Sequence, residues 1–157
     1  MITREVVAER SDGPIPFSIP WFIVAAVLAA AAVAVWLGLP PSAGRIAGVV
    51  LLAVAVLVTA GVAVYYLVRR AGTPEDVILR EGDTFFFPKG EFAAEELWRV
   101  RRYRPPHRSI YAPTWGKIVV ELKDGRRLTA HCVADVDGVY AYFIGVIQKF
   151  SKEDALR

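Results

Sequence analysis

The densest group of chemically active side chains is the segment from residue 99 to residue 108. It contains five arginines, one histidine and no acidic residue. A planar guanidinium group can donate two parallel hydrogen bonds to a phosphate or a carboxylate. We therefore expect the segment to bind anionic lipid headgroups or a protein partner. The residues assigned to this site are Arg99, Arg101, Arg102, Arg104 and Arg108.

A structural role for the same segment is the alternative interpretation. Its arginines would then lie on a solvated strand and loop and form ion pairs with acidic residues nearby. The available partners are Glu91, Glu95, Glu96 and Glu121.

Other residues with catalytic or metal-binding chemistry are few and scattered. His131 and Cys132 are adjacent, and adjacent residues of a strand point to opposite faces. With one further histidine, His107, no closed zinc site of Cys and His can be assembled. We expect Cys132 to be a small core residue, and Asp135 and Asp137 to be helix N-caps. The sequence thus predicts no catalytic site, no metal site and no cofactor.

Nucleic acid is also excluded as an expected partner. From Arg69 onward the chain has 16 basic and 13 acidic residues, a net charge of +3. A nucleic-acid-binding domain usually carries a much stronger positive bias.

Two long apolar runs predict how the chain is anchored. The sequence is 55% hydrophobic with a mean hydropathy of +0.39. Arg45 is the sole charged residue between Gly13 and Val68. Roughly 20 apolar helical residues cross a bilayer core. We therefore predict two transmembrane helices, at about residues 20–39 and 46–68, joined as an antiparallel hairpin. A cleaved signal peptide is the alternative for the first run, although the mixed charges before it are atypical of one.

The ends of these runs predict membrane-interface anchors. Amphipathic rings and cationic residues are typical of headgroup depth. The assigned anchors are Trp21, Trp36, Tyr65, Tyr66, Arg69 and Arg70. Because cations flank the hairpin on its terminal side, we expect both termini to be cytoplasmic and the protein to lie in the cell membrane. Gly44 and Gly48 favour close packing of the two helices, with docking onto other membrane subunits as the alternative.

The chain divides into three predicted parts: a polar lead at 1–16, the hairpin at 17–70 and an α+β domain at 71–157. In the domain, strands at 76–80 and 84–87 are expected to pair, and a turn or short helical piece precedes a strand ending near residue 104. Asp124-Gly125 favours a tight turn between strands at 117–123 and 127–133. Apolar residues from Val139 to Phe150 recur with helical spacing and predict a C-terminal amphipathic helix.

This arrangement resembles the pleckstrin-homology-like domains of small membrane proteins from bacteria and archaea. The resemblance covers residues 75–150. It rests on segments 85–90 and 96–100, on the hairpin at 118–126, and on the helix through Tyr142, Phe143 and Ile147. It implies a curled antiparallel sheet closed by the C-terminal helix, and a binding or scaffolding role without enzymatic activity. A truncated barrel or a different small α+β sheet is the alternative fold.

Two functions are therefore expected. In the first, the hairpin holds a non-enzymatic binding or scaffold domain at the cytoplasmic face, where it engages lipid headgroups or a protein partner. In the second, the chain is an accessory subunit or assembly factor of a larger integral-membrane complex, or forms a homo-oligomer. The absence of Asn, a single Gln and an excess of Arg over Lys are typical of thermophiles, with GC-rich codon usage as the alternative cause.

Overall fold

The computed structural model describes residues 4–105 and 113–155, with side chains described up to residue 151. The chain forms two compact units. The hairpin unit is Pro14–Val68. The sheet unit combines the residues before the hairpin with those from Arg69 onward.

The hairpin unit consists of helix α1, Pro14–Gly38, and helix α2, Ala43–Ala71, which continues beyond the unit. Both helices are long and apolar enough to cross a membrane. Helix α1 begins at Pro14 instead of near residue 20, and Pro20 lies inside it. Proline is tolerated in the first turn because the N–H groups there have no helical acceptor. Pro14 and Pro16 therefore lie in the first turn of α1.

Small side chains mediate the contact between α1 and α2. The buried residues are Pro14, Ser18 and Ala25 on α1 and Ala63 on α2. The Ser18 hydroxyl lies 2.7 Å from the Pro14 carbonyl oxygen and 3.3 Å from that of Ala63, which is on the other helix. Such small residues let helix backbones approach closely in a membrane.

The sheet unit contains seven strands among the described residues, in two antiparallel sheets. The first sheet has the order β1-β2-β3-β4 and the second β5-β6-β7. Helix α3, Val136–Ala155, follows the last strand. The strands are β1 Arg4–Glu9, β2 Asp76–Glu81, β3 Thr84–Phe87, β4 Gly90–Ala93, β5 Leu97–Tyr103, β6 Gly116–Leu122 and β7 Arg127–Val133.

Strand β1 comes from the segment that the sequence predicted as a polar lead. It pairs antiparallel with β2, from Arg4 opposite Glu81 to Glu9 opposite Asp76. Its Ala8 is 4% exposed and belongs to the core. In the order of the sequence, the hairpin thus lies between β1 and β2, which are neighbouring strands of one sheet.

The core of the sheet unit lies between the inner faces of the sheets and α3. Phe85, Ile118 and Phe143 are fully buried in it. The ring centroids of Phe85 and Phe143 are 5.1 Å apart. The aromatic rings of β3 and the apolar face of α3 therefore share one hydrophobic cluster.

The locally encoded elements match the sequence predictions. The β2–β3 and β6–β7 pairs form as expected. A short 3-10 helix at Ala94–Glu96 precedes β5, in agreement with the predicted turn or short helical piece. Strand β4 was not predicted, because its four residues include a glycine and a glutamate.

The expectations for Asp135, Asp137 and Cys132 have different outcomes. Asp135 caps α3 by accepting a hydrogen bond from the Gly138 amide at 3.1 Å, whereas Asp137 lies inside the first turn. Cys132 is a buried core residue, as expected, but its backbone departs from a regular strand. The reason is a β-bulge, at which Cys132 adopts a φ of 53° and the register shifts.

Candidate functional site: a basic sheet face

Strand β5 distributes the predicted arginine site over two faces. Val100 is buried, while Arg99 and Arg101 on either side of it are exposed. Because side chains alternate along a strand, Arg102 follows Val100 toward α3, and Arg99 and Arg101 share the opposite face. Trp98 is the extra residue of a bulge next to Arg99 and is 65% exposed. The arginines therefore do not form one continuous patch.

Arg99 and Arg101 belong to a larger surface, which we call the outer sheet face. It is the side of the β5-β6-β7 sheet that points away from the core. The strand register places β5 residues opposite β6 residues and these opposite β7 residues. The members are Arg99, Arg101, Tyr103, Lys117, Val119, Glu121, Arg127, Thr129 and His131.

Glu121, on the central strand β6, is the acidic residue of this face. Its Oε1 atom accepts two hydrogen bonds from Arg127, from Nε at 3.0 Å and from Nη2 at 2.8 Å. An Nη atom of Arg101 lies 4.0 Å from its Oε2. Arg99 lies directly opposite Glu121 in the register of β5 and β6. The Arg127 hydrogen bond and the charges of these arginines lower the pKa of the Glu121 carboxyl.

Lys117 extends the positive charge along the face, and His131 lies on the neighbouring strand β7. The Lys117 ammonium lies 4.5 Å from the centre of the Tyr103 ring, a cation–π contact. Partial burial lowers the pKa of His131, and the nearby charges of Arg69, Lys117 and Lys89 lower it further. His131 is therefore harder to protonate than an ordinary histidine.

Arg102 and Arg104 face helix α3 and are bound there. Arg102 donates a hydrogen bond to Asp137 at 2.5 Å, and its guanidinium lies 4.7 Å from the centre of the Tyr140 ring. Arg104 also forms an ion pair with Asp137. Asp137 thus joins β5 to the start of α3, which explains why it is not the N-cap.

Two of the predicted interface anchors lie where the hairpin joins the sheet unit. Arg70 forms an ion pair with Asp12, whose pKa it lowers. Nearby, Arg10 donates to the Thr73 carbonyl oxygen at 2.7 Å. The two connecting segments are therefore linked by side-chain contacts. The positive charge of Arg69 contributes to the lowered pKa of His131.

The remaining anchors lie on the hairpin helices. Trp36 and Tyr65 are each 51% exposed, and Tyr66 packs edge-on against Phe17 at 5.0 Å. Trp21 lies seven positions into α1, since the helix begins at Pro14. Arg45 lies 4.5 Å from the centre of the Trp36 ring and donates to the carbonyl oxygens of Trp36 and Leu39. Arg45 thus closes the end of α1.

The structure adds three residues to the site and leaves one undescribed. Lys117, Glu121 and Arg127 lie beside Arg99 and Arg101 but were not predicted as binding residues. The alternation of β6 and β7 would have placed them on the polar side of the predicted hairpin. Arg108 lies outside the described residues.

Two open depressions flank Tyr142 of α3. One, of about 380 Å³, lies between β1 and the start of the helix, where it is lined by Glu9 and Asp135. The other, of about 370 Å³, is lined by Arg80 and Lys149. Across residues 4–105 and 113–151, no group of three or more His, Cys, Asp and Glu side chains could hold a metal ion.

Comparison with known proteins places no constraint on this surface. No family model, curated protein or solved structure matches the chain.

Proposed function

We propose that this chain is a non-enzymatic, membrane-anchored binding protein whose outer sheet face engages anionic lipid headgroups. The observation that carries the proposal is the charge of that face. Arg99, Arg101 and Arg127 supply three cations around one carboxylate, that of Glu121, and Lys117 adds a fourth cation further along the same face. The exposed rings of Trp98 and Tyr103 lie on the same strand. Cations with amphipathic rings are the combination that favours a headgroup layer.

The strand arrangement supports a pleckstrin-homology-like domain. Four strands form one antiparallel sheet, three form a second, and a C-terminal helix packs on both β5 and β6. The full form of this domain has seven strands. The chain from Arg69 onward supplies six of them, β2 to β7, and β1 from before the hairpin is the seventh. In this proposal the membrane hairpin is an insertion in the first loop of the domain.

The covalent anchor makes weak headgroup contacts sufficient. A domain tethered to a bilayer meets lipid at a high effective concentration. Each basic residue near an anionic surface contributes about 1 kcal/mol, and this attraction falls off within a Debye length of roughly 8–10 Å. Binding should therefore be salt-sensitive and should depend on the fraction of anionic lipid.

Charge distribution supports a cytoplasmic location for both termini. Arg69 and Arg70 end α2 on the terminal side of the hairpin. On the turn side, Arg45 is bound to carbonyl oxygens of α1 and to Trp36. The bias of cations toward the cytoplasm then orients the hairpin with its turn outside.

Capture by vesicles in trans tests the proposal on the full chain. The protein is held in nanodiscs of zwitterionic phosphatidylcholine and mixed with sucrose-loaded vesicles, either of phosphatidylcholine alone or with phosphatidylglycerol. We expect sedimentation with the anionic vesicles only. Replacing Arg99 and Arg101 with Gln should weaken capture by roughly tenfold or more, at about 1 kcal/mol for each cation.

The matched control uses Arg102 on the same strand and Arg104 directly after its end. The double variant Arg102→Gln, Arg104→Gln removes the same charge from the face that packs on α3. We expect it to change capture by less than about threefold. Equal loss in both double variants, or capture of phosphatidylcholine vesicles as strongly as anionic ones, would contradict headgroup binding by the outer sheet face.

A further inference from the structure

The arginines near Glu121 have defined positions around its carboxylate, in addition to making the face positively charged. Arg127 lies on one side of the carboxylate, on β7, and Arg99 and Arg101 lie on the other side, on β5. Neighbouring strands are about 4.8 Å apart, so side chains from both flanking strands can reach the centre of β6. Glu121 already shows what this position binds, because Arg127 donates both of its hydrogen bonds to one carboxylate oxygen.

We propose that Glu121 occupies the place of a ligand, and that the ligand is a phosphomonoester headgroup. This inference rests on the proposed function and names the group that the outer sheet face selects. The three arginines carry three positive charges and Glu121 one negative charge, which leaves a net charge of +2. A phosphomonoester carries about −1.5 to −2 at pH 7 and presents three acceptor oxygens.

A phosphodiester headgroup fits this position less well. It carries a single negative charge and has two unesterified oxygens, so it offers the three guanidinium groups less charge and fewer acceptor positions than a monoester does. Guanidinium groups form their strongest hydrogen bonds in pairs to such oxygens. The cluster therefore favours a monoester such as phosphatidate over a diester such as phosphatidylglycerol.

Glu121 also limits the affinity of the site. A phosphate that approaches Arg127 and Arg101 must displace the Glu121 carboxylate or lie beside it, and like charges repel. Removing that charge while keeping the side-chain shape should strengthen binding. Glu121 therefore acts as an internal competitor that a doubly charged anion displaces more readily than a singly charged one.

The test uses the nanodisc-held full chain and vesicles that contain phosphatidate or phosphatidylglycerol, at mole fractions that give equal surface charge. We expect capture by phosphatidate vesicles to be roughly 3–10-fold tighter. Glu121→Gln should tighten capture by roughly 2–5-fold, the size of one exposed charge interaction. The matched control is Glu91→Gln, which makes the same charge change on strand β4 of the other sheet. It should change capture by less than about twofold.

Arg127→Lys separates recognition from charge. Lysine keeps the positive charge but loses the two-donor geometry of the guanidinium. We expect this variant to lose the preference for phosphatidate while it still sediments with phosphatidylglycerol vesicles. The thermal unfolding midpoint of each variant verifies that the sheet unit is folded.

Inorganic phosphate distinguishes recognition of the phosphate group from attraction to the surface. Phosphate should release the nanodiscs from phosphatidate vesicles at an ionic strength at which sodium chloride does not. Equal release by both salts, equal capture by the two lipids, or Glu121→Gln binding no tighter than Glu91→Gln would each overturn the inference. The proposed function would survive those results, whereas it would fail if no anionic vesicle captured the protein.

Discussion

The hairpin unit and the sheet unit use apolar side chains in opposite ways. In the hairpin unit the large apolar residues are outside, with Leu37 77% and Leu57 72% exposed, and the buried residues are small. In the sheet unit Phe85 and Phe143 are fully buried, and the charged residues are outside. One chain thus folds in two patterns that are inverted with respect to each other.

The difference matches the apolar composition and length of the two helices, which are sufficient to cross a membrane. Continuous exposed apolar surface is unfavourable in water, because each Å² left in water forgoes about 25 cal/mol. In lipid the same surface has no such cost, and close packing of small residues can hold helices together. The sheet unit instead depends on removing large rings from water. Substitutions should therefore have effects of different size in the two units.

Truncating a buried ring should have the largest effect. Phe143→Ala on α3 removes contacts to Phe85 and to Phe87, with ring centroids at 5.1 and 6.1 Å. Such truncations cost about 3–5 kcal/mol. We expect the unfolding midpoint of the sheet unit to fall by roughly 15 °C or more. The measurement is near-ultraviolet circular dichroism of the full chain in nanodiscs during heating.

The corresponding change in the hairpin unit is Leu57→Ala. Leu57 is 72% exposed, so its truncation leaves no cavity in the protein. We expect a change within about 0.5 kcal/mol. A large loss from Leu57→Ala, or a small one from Phe143→Ala, would break the contrast between the units.

The second largest effect tests whether β1 belongs to the sheet unit. Ala8 of β1 lies in the core, and an amide there would be buried and crowded. We expect Ala8→Asn to destabilise the sheet unit by about 2–4 kcal/mol, from polar burial and overpacking. Val6→Asn on the same strand is the control, because Val6 is 44% exposed. If the two variants had equal midpoints by thermal unfolding, the segment would be the polar lead that the sequence predicted.

Local signals explain how much of the fold could be predicted. The β6–β7 pair surrounds an Asp-Gly turn, and α3 repeats apolar residues with helical spacing, so both can be inferred within a short window. Strand β1 has no such signal. Its partner Asp76–Glu81 is separated from it by the whole hairpin, and strand pairing at that distance is decided by tertiary packing.

The site could be predicted less completely than the fold. The arginine run was visible in the sequence, but its division between two faces depends on register and on the bulge at Trp98. Lys117 and Arg127 join the run only across strands. The type and position of Asp137 predict an N-cap, whereas its partners Arg102 and Arg104 lie on β5 and directly after it, far away in the sequence.

A smaller effect is expected where α1 and α2 touch. Ala63 is fully buried, and its carbonyl oxygen accepts from Ser18. Ala63→Leu adds volume at a close contact, which costs about 1–3 kcal/mol. Hydrogen exchange of the α1 and α2 amides in detergent should rise. Ala53→Leu, at an exposed position of α2, is the control and should leave exchange unchanged.

The smallest expected effect is a pH dependence confined to the sheet unit. Burial and neighbouring cations lower the pKa of His131, so the unfolded chain binds a proton more readily than the folded one. Stability is then complete above the ordinary histidine pKa of about 6.5 and falls as the pH drops below it. Glu121 also has a lowered pKa, but its contribution is lost only as the pH falls below the ordinary glutamate value of about 4.3.

These two groups should therefore act in separate pH ranges. Thermal unfolding at pH 7.5 and pH 5.5 should show a lower midpoint at pH 5.5, and His131→Gln should abolish that difference while leaving the loss below pH 4.3. Because Pro14–Val68 contains no Asp, Glu or His, hydrogen exchange of the paired helices should not follow this dependence. A midpoint that stays constant between pH 7.5 and 5.5 in the parent chain would show that His131 titrates alike in the folded and unfolded states. In that case burial and the charges of Lys117, Lys89 and Arg69 would not lower the pKa of His131 in the folded state.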